Sequence, residues 1–397
     1  MTFNILLVGA GEINFGSVEG PWNHSRRLES KLGLALCIVG IVDPYQTRAN
    51  AALEGKLASD AAPAYVSCKV FSTVAEAAAS LAGELLPQLA IVGAPPFARG
   101  SDIPGKDLEL QLAIAFPGCA LFVEKPVSSD HVDGCWRVAA EFEKRRVLVG
   151  VGYMLRYSKA VQMMKQIIKE NNLAVMGTNA RYVMAYEWAR KLSWWNKDSS
   201  GGPIVEQATH FCDLSRYFGG DVVLPSVSAQ IVAHDEVPGV LSAKRFDESL
   251  VPPEKRLPRM TSATWKYASG AVGTLTHVIA LHGTTYDTEF EVYADGYRLK
   301  LIDPYGSAPV LSIRRPGVVG EGPACDHNIV TNMRQDDPFY TELSTMIDVV
   351  SESGGNVRSK ILSPYEDAVK TYELTWQIRR AGENSERQFS ARISYPQ

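Results

Sequence analysis

The sequence predicts an α/β chain whose first third is a doubly wound parallel sheet and whose remainder is an α+β domain on a large, mostly antiparallel sheet. Three observations predict it. Up to Gly152, short unbroken runs of Val, Ile and Leu alternate with helical patterns, as strands buried on both faces should. Beyond it the apolar residues spread into longer alternating segments joined by hairpin turns. A chain of 397 residues is also long for one core, so two domains are expected, 1–152 and 153–397.

Candidate strands of the first domain are Ile5–Val8, Leu36–Val42, Leu89–Val92, Ala120–Val123 and Val147–Val151. Helical patterns lie at Thr73–Leu81, where Ser72 and Thr73 offer a cap, at Lys106–Ala115, and at Asp130–Lys144 with Val132, Cys135, Trp136 and Ala139 on one face. The second domain opens on a helix bearing Val161, Met164, Ile167 and Ile168. Alternating strands follow at Asn179–Trp188, Ser226–His234, Thr261–Tyr267, Ala271–Ile279, Thr288–Tyr293 and Arg298–Ile302, with Ala268–Ala271 and Ala294–Tyr297 as hairpin turns. Val237–Arg259 and Pro316–Asp326 read as surface loops, and helices at Pro338–Ser351 and Pro364–Arg380 close the chain.

Composition narrows the class. With 46% hydrophobic and 21% charged residues, the chain has enough apolar side chain to offset its ordering entropy. Its net charge of -4 is thinly spread, and the basic cluster Lys144-Arg145-Arg146 follows Glu141 and Glu143 as a solvated helix face, so nucleic acid is not an expected partner. Six scattered cysteines without a CxxC pair, and a start that passes at once into a strand, predict a reduced cytoplasmic protein. No apolar run approaches the roughly 18 residues of a membrane span.

The first strand runs into Gly9-Ala-Gly11-Glu-Ile-Asn14-Phe-Gly16. Glycines there let the backbone turn sharply and approach a pyrophosphate at the next helix N-terminus, the dinucleotide fingerprint of a Rossmann domain. Two fingerprint glycines are present and Asn14 takes the third place, which nominates Gly9, Gly11, Glu12, Ile13 and Asn14 as cofactor contacts. Asp43 ends the second strand, where a carboxylate can accept hydrogen bonds from a ribose and repel a 2'-phosphate, favouring NAD(H). Arg48 keeps NADP(H) as the alternative, since a guanidinium could clamp that phosphate. The 34-residue spacing from Gly9 to Asp43 exceeds the usual ~20, as an inserted loop at Gly20–His24 would explain.

Three further motifs are Gly93-Ala94-Pro95-Pro96 after a strand, Glu124-Lys125-Pro126 at a strand's end, and Gly201-Gly-Pro-Ile-Val-Glu206-Gln-Ala-Thr-His210-Phe-Cys-Asp213. With Gly152-Tyr153-Met-Leu-Arg156 they resemble the Gfo/Idh/MocA oxidoreductases over nearly the whole chain. The resemblance implies that Ala94, Pro95, Pro96, Glu124 and Lys125 meet the cofactor, that Lys125 is an acid and base, and that the bond before Pro126 is cis. It further implies that His210 hydrogen-bonds the reacting oxygen while the carboxylate four residues earlier, more often Asp in the family, orients it.

The residues themselves agree with those roles. Lys125 follows the carboxyl end of a parallel strand, where open α/β sheets bind ligands. Glu206, His210 and Asp213 stand at i, i+4 and i+7, one face of a single helix opening after Gly201-Gly202-Pro203, and a metal site is not expected. Tyr153 and Arg156 are candidates for substrate contact, with an interdomain ion pair as the other reading of Arg156. Trp194 and Trp195 could wall the pocket or belong to the core. Cys212 is not expected to be a nucleophile, because i and i+2 on a helix point apart.

The expected activity is hydride transfer between nicotinamide and a small polyol, sugar or related hydroxy or carbonyl compound, with Lys125 and His210 as a proton relay. The alternatives are reduction of an imine, enone or dihydrodiol, or a non-catalytic dinucleotide-binding regulator. A homodimer or homotetramer packed through the broad sheet is expected.

Overall fold

Six strands make the first sheet: β1 (Phe3–Val8), β2 (Leu36–Val42), β3 (Lys69–Phe71), β4 (Leu89–Val92), β5 (Ala120–Val123) and β6 (Val149–Val151). They pair in the order β3-β2-β1-β4-β5-β6, all parallel. Strand order reverses between β1 and β4, and in such sheets the carboxyl ends at that reversal form the ligand crevice. β1, β4 and β5 are buried at every residue, which is why they carry no alternation. The computed structural model describes residues 2–18, 20–187, 191–244, 246–283, 285–317, 327–332, 336–352 and 357–393.

The chain divides into two compact units, 1–157 with 337–369, and 158–336 with 370–397. The helix Pro338–Ser351 therefore belongs to the first unit, where Leu343, Met346, Ile347 and Val349 share a core with Ile5, Leu7, Ile91 and Phe122. The helices Val74–Ser80, Leu108–Ala115 and Val132–Arg145 stand where periodicity put them, the first capped by Thr73, which accepts from the Glu76 amide. Three elements lacked a clear pattern: β3, three residues at the sheet edge, and the helices His24–Leu32 and Gln46–Leu57. The expected inserted loop ends inside the first of these helices, since His24 is its opening residue and Asn23 its cap.

The second unit is built on eight strands: β7 (Val175–Ala185), β8 (Ser228–Val232), β9 (Met260–Lys266), β10 (Val272–Leu281), β11 (Tyr286–Ala294), β12 (Tyr297–Ile302), β13 (Val310–Arg315) and β14 (His327–Asn332). Their order is β14-β13-β12-β11-β7-β10-β9-β8, and only the β7–β10 pairing is parallel. β9 alternates exposed and buried at each residue, the pattern of a sheet with one face packed. Against the packed face lies the helix Thr209–Gly219, buried at every position but Tyr217, with Phe211 edge-on to Tyr182 of β7. β13 and β14 are additions to the expected set. Trp188 and residues 318–326, parts of an expected strand and an expected loop, lie outside the described residues.

The described residues of Val237–Arg259 are mostly exposed and form only short turns, the surface loop its prolines suggested. Arg259 and Glu248 form a bidentate pair, both contacts at 2.7 Å, with both side chains buried. The segment is anchored in the unit by this buried pair and by apolar side chains, with Val251 and Leu257 buried and Phe246 stacked on Trp195.

Candidate active site

The first candidate site grows out of the glycine turn after β1. Gly9 has φ +92, and a Cβ there would stand 2.9 Å from the Ala94 amide nitrogen, so both conformation and space require glycine. Its amide donates to the Val42 carbonyl, while the Gly93 amide donates to that of Val8, tying the turn between β2 and β4. Asn14 is fully buried, and its side-chain amide donates back to Gly9 O at 2.7 Å, holding the turn shut where the fingerprint would have glycine. Ile13 and Asn14 pack so closely on Gly93 that a Cβ there would meet them at 2.7 and 2.8 Å. At Gly11, by contrast, nothing lies within 4 Å of a Cβ position. The backbone there is open to a ligand, and Glu12 beside it is exposed.

Asp43 is fully engaged within the unit. Its Oδ2 accepts from the Ala10 amide at 2.6 Å and its Oδ1 from the Tyr45 amide at 2.8 Å, while Arg48 Nη2 donates to both, at 2.7 and 3.0 Å. A carboxylate has about four acceptor positions, and all are taken. Asp43 thus clasps the glycine turn to the next helix. Half-exposed Arg48, lying over the Tyr45 ring, covers it.

At the carboxyl end of β5, Glu124, Lys125 and cis Pro126 continue the strand. Glu124 is buried; its Oε2 accepts from the Lys125 amide at 3.1 Å and its Oε1 from His24 Nε2 at 2.7 Å. Burial pushes its carboxyl up, but the His24 hydrogen bond and the charges of His24, Lys125 and Arg99 hold it below the ordinary range. Gly152 must be glycine, since a Cβ there would sit 3.0 Å from both Glu124 oxygens. Arg99, fully buried, donates from Nε to the Ala94 carbonyl, bracing the Ala94-Pro95-Pro96 turn. Burial lowers the Arg99 pKa against the charges of Glu109 and Glu124, and burial raises the Glu109 carboxyl to about 7. Lys125 thus follows a buried carboxylate that is bonded to His24 and coupled by charge to buried Arg99.

Tyr153 and Arg156 do not look onto open space. Tyr153 has no exposed surface, and Arg156 is 3% exposed, pairing with Asp367 at 2.6 Å and donating to the Leu362 carbonyl. These partners belong to the same unit, so the ion pair is internal to it and the guanidinium is spent on fixing the chain after β6.

In the second unit the single helix expected to carry Glu206, His210 and Asp213 is broken. Gly201 and Gly202 both have positive φ, and Pro203–Glu206 makes one turn. The Gln207 and Ala208 amides then both donate to the Pro203 carbonyl, and the helix restarts at Thr209. Glu206 and His210 therefore sit on different helical segments, and only His210 and Asp213 share one. Asp213 is buried and accepts from Thr371 Oγ1 at 3.1 Å, the same hydroxyl that accepts from Arg216 at 2.9 Å. Glu206 accepts from Trp194 Nε1 at 2.9 Å. Trp195 is core, 4.9 Å from Phe246 in a parallel stack and 4.6 Å from Tyr186. Cys212 is fully buried, and burial drives its thiol up, away from the thiolate a nucleophile needs.

Around His210 the unit gathers rings. Tyr305 lies edge-on at 5.9 Å, Phe211 is next to it in sequence, and Tyr182 packs on Phe211 and Tyr305. His277 stacks on Tyr182 at 5.2 Å and lies 3.1 Å from Gln207 Oε1; burial lowers it to about 3, so it stays neutral. Among the described residues no group of three or more His, Cys, Asp or Glu side chains could hold a metal ion.

Residues 3–153 match the family model described as "Oxidoreductase family, NAD-binding Rossmann fold", the GFO_IDH_MocA model, and residues 156–297 match one for an oxidoreductase C-terminal domain. An uncharacterized protein of Schizosaccharomyces pombe is 44% identical over 375 residues, covering 94% of this chain and 95% of that protein. The chain belongs to the Gfo/Idh/MocA oxidoreductase family. Among solved structures, the super-repressor mutant of Gal80p from Saccharomyces cerevisiae superposes with a TM-score of 0.71 at 12% identity, each chain covered to 97%. The WlbA dehydrogenase from Bordetella pertussis, solved with NADH and UDP-GlcNAcA, gives 0.65 at 14% identity, also with 97% of each chain. At such identities these two likenesses show the fold.

For a Gfo/Idh/MocA oxidoreductase the open backbone at Gly11, at the end of a strand beside the topological reversal, fits a dinucleotide. Two contributors were invisible to motif reading. His24 and Arg99 occupy no recognised pattern, yet they meet Glu124 through a hydrogen bond and through charge. A histidine opening a helix behind an Asn cap was the available signal for His24, and its distance of 100 residues from Glu124 hid the partner.

Proposed function

We propose that this protein is an NAD(H)-dependent oxidoreductase acting on a CH–OH group, or the matching carbonyl, of a small polyol, sugar or related compound. The glycine turn at Gly9 and Gly11 would hold the pyrophosphate of a dinucleotide, whose nicotinamide would supply the hydride chemistry. In oxidation Lys125 takes the hydroxyl proton, directly or through His210, and in reduction the same groups return it to the alkoxide oxygen. Glu206 orients the substrate and His210, and Asp213 positions the His210 helix through Thr371. The observation that carries the reading is the buried, hydrogen-bonded Glu124 beside Lys125, at a strand end in the same unit as the NAD-binding motif. The bond from its amide to Glu124 fixes the backbone from which the Lys125 side chain starts.

NAD(H) is the favoured cofactor, because the buried charge of Asp43 opposes a 2'-phosphate; Arg48 leaves NADP(H) as the second choice. The test is turnover of polyols, aldoses, conjugated carbonyls and imines by the full chain with NAD(H), followed by nicotinamide absorbance. Turnover confined to hydroxyl–carbonyl pairs is the expected result. Binding of NADH with turnover only of C=C or C=N substrates, or of none, would overturn it.

A further inference from the structure

Tyr305 lies in the turn between β12 and β13, where Asp303 has φ 49 and the Gly306 amide donates back to the Asp303 carbonyl. That turn lays the ring against His210 at 5.9 Å, Phe211 at 6.0 Å and Tyr182 at 6.0 Å. The ring is partly exposed, but the hydroxyl oxygen is shut from solvent and has no hydrogen-bond partner among the described residues. A buried hydroxyl without a partner is costly to a fold, and groups in that state are commonly waiting for a ligand or water.

Burial, the neighbouring Tyr286 phenol and the Glu206 carboxylate all raise the Tyr305 pKa far above the ordinary phenol, so it remains a neutral donor. The full charge acting on it is thus negative. Tyr182 is raised by burial, by the Tyr305 and Tyr286 phenols, and by the same Glu206 charge. A ligand here would meet a phenol that donates, a carboxylate that accepts, an imidazole, and the flat faces of aromatic rings. Those are the needs of a polyhydroxylated carbon skeleton: hydroxyls for the polar groups, C–H faces for the rings. An anionic ligand would face the Glu206 charge in partly desolvated surroundings.

Resting on the reading under Proposed function, we infer that Tyr305 binds a substrate hydroxyl beside His210, and that with Glu206 it selects a neutral polyol or aldose over the corresponding sugar acid. Tyr305→Phe removes only an oxygen that bonds to nothing described, so the melting temperature should not fall. With NAD+ and a panel of myo-inositol, D-glucose, D-xylose and D-glucuronate, a neutral member should have at least about tenfold the kcat/KM of the acid. On the best neutral substrate Tyr305→Phe should raise KM roughly tenfold, with kcat within about threefold and NADH affinity unchanged.

Preference for glucuronate, an unchanged KM, or a marked fall in melting temperature would each overturn the inference while turnover itself upheld the oxidoreductase reading. If nothing is turned over, calorimetry of the same compounds on the NADH complex separates the two. Neutral binding weakened by Tyr305→Phe would keep the inference and remove the activity, and absence of binding would remove both.

Discussion

Around Glu124 the first unit buries His24, Arg99 and Glu109, whereas around His210 the second unit gathers Phe211, Tyr182 and Tyr305. In the first place polar groups meet polar groups: Glu124 accepts from His24 and the Lys125 amide, Glu109 accepts from the Gly100 amide, and both carboxylates act on Arg99 by charge. His24 Nδ1, Arg99 Nη1 and Glu109 Oε1 have no hydrogen-bond partner among the described residues. In the second, position comes from ring packing, and a phenol oxygen is left over. The difference teaches that removing one member of a bonded charged set strands its partner, while trimming a ring substituent strands nothing. The first arrangement ties the Lys125 backbone to a buried carboxylate, and the second leaves a phenol oxygen for a ligand.

The sharpest way to break this comparison is at Lys125. Lys125→Met should cut turnover by at least ~100-fold while leaving NADH affinity, read by fluorescence titration, within a few-fold. Parallel loss of both would make Lys125 a cofactor ligand instead. Next in size is His24→Leu, which leaves Glu124 buried with one oxygen unpaired. Urea unfolding should show a loss of about 2 kcal/mol, and a variant as stable as the parent would show that the buried set is not mutually dependent.

A smaller effect concerns Glu109, whose carboxyl rises from 4.5 to about 7 on burial. Between those values the unfolded chain has released a proton that the folded chain retains, so stability should fall as pH climbs through that window and level off above it. Glu109→Gln should lack this fall, its stability staying level through that window; parallel pH profiles would contradict the assignment. The smallest effect is expected for Arg48→Ala. Freed acceptors on Asp43 should leave NADH affinity within about threefold and weaken NADPH by several-fold relative to it, and an unchanged ratio would take Arg48 out of cofactor choice.

What the sequence made legible follows from topology. Gly9, Gly11, Glu124 and Lys125 sit at ends of buried parallel strands, and strand ends of such a sheet converge whatever the loops do. The unreadable parts depend on contacts between distant segments or on one local hydrogen bond. The bonds from Arg48 to both Asp43 oxygens are not visible from the strand-end position of Asp43 alone. The helix bearing Glu206 and His210 breaks because two successive amides turn to the Pro203 carbonyl, which no residue count reveals. Tyr305 reaches His210 only through the β12–β13 turn, and β13 was not foreseen.

The central claim is that Lys125 and His210 serve one proton path, and it is tested most directly by the turnover of Lys125→Met, His210→Asn and the double variant on the same substrate. Groups acting as a unit are non-additive, so the double variant should be no slower, within about threefold, than the slower single variant. Losses that multiply, giving a double variant slower by the product of the two single effects, would show that the amine and the imidazole act independently.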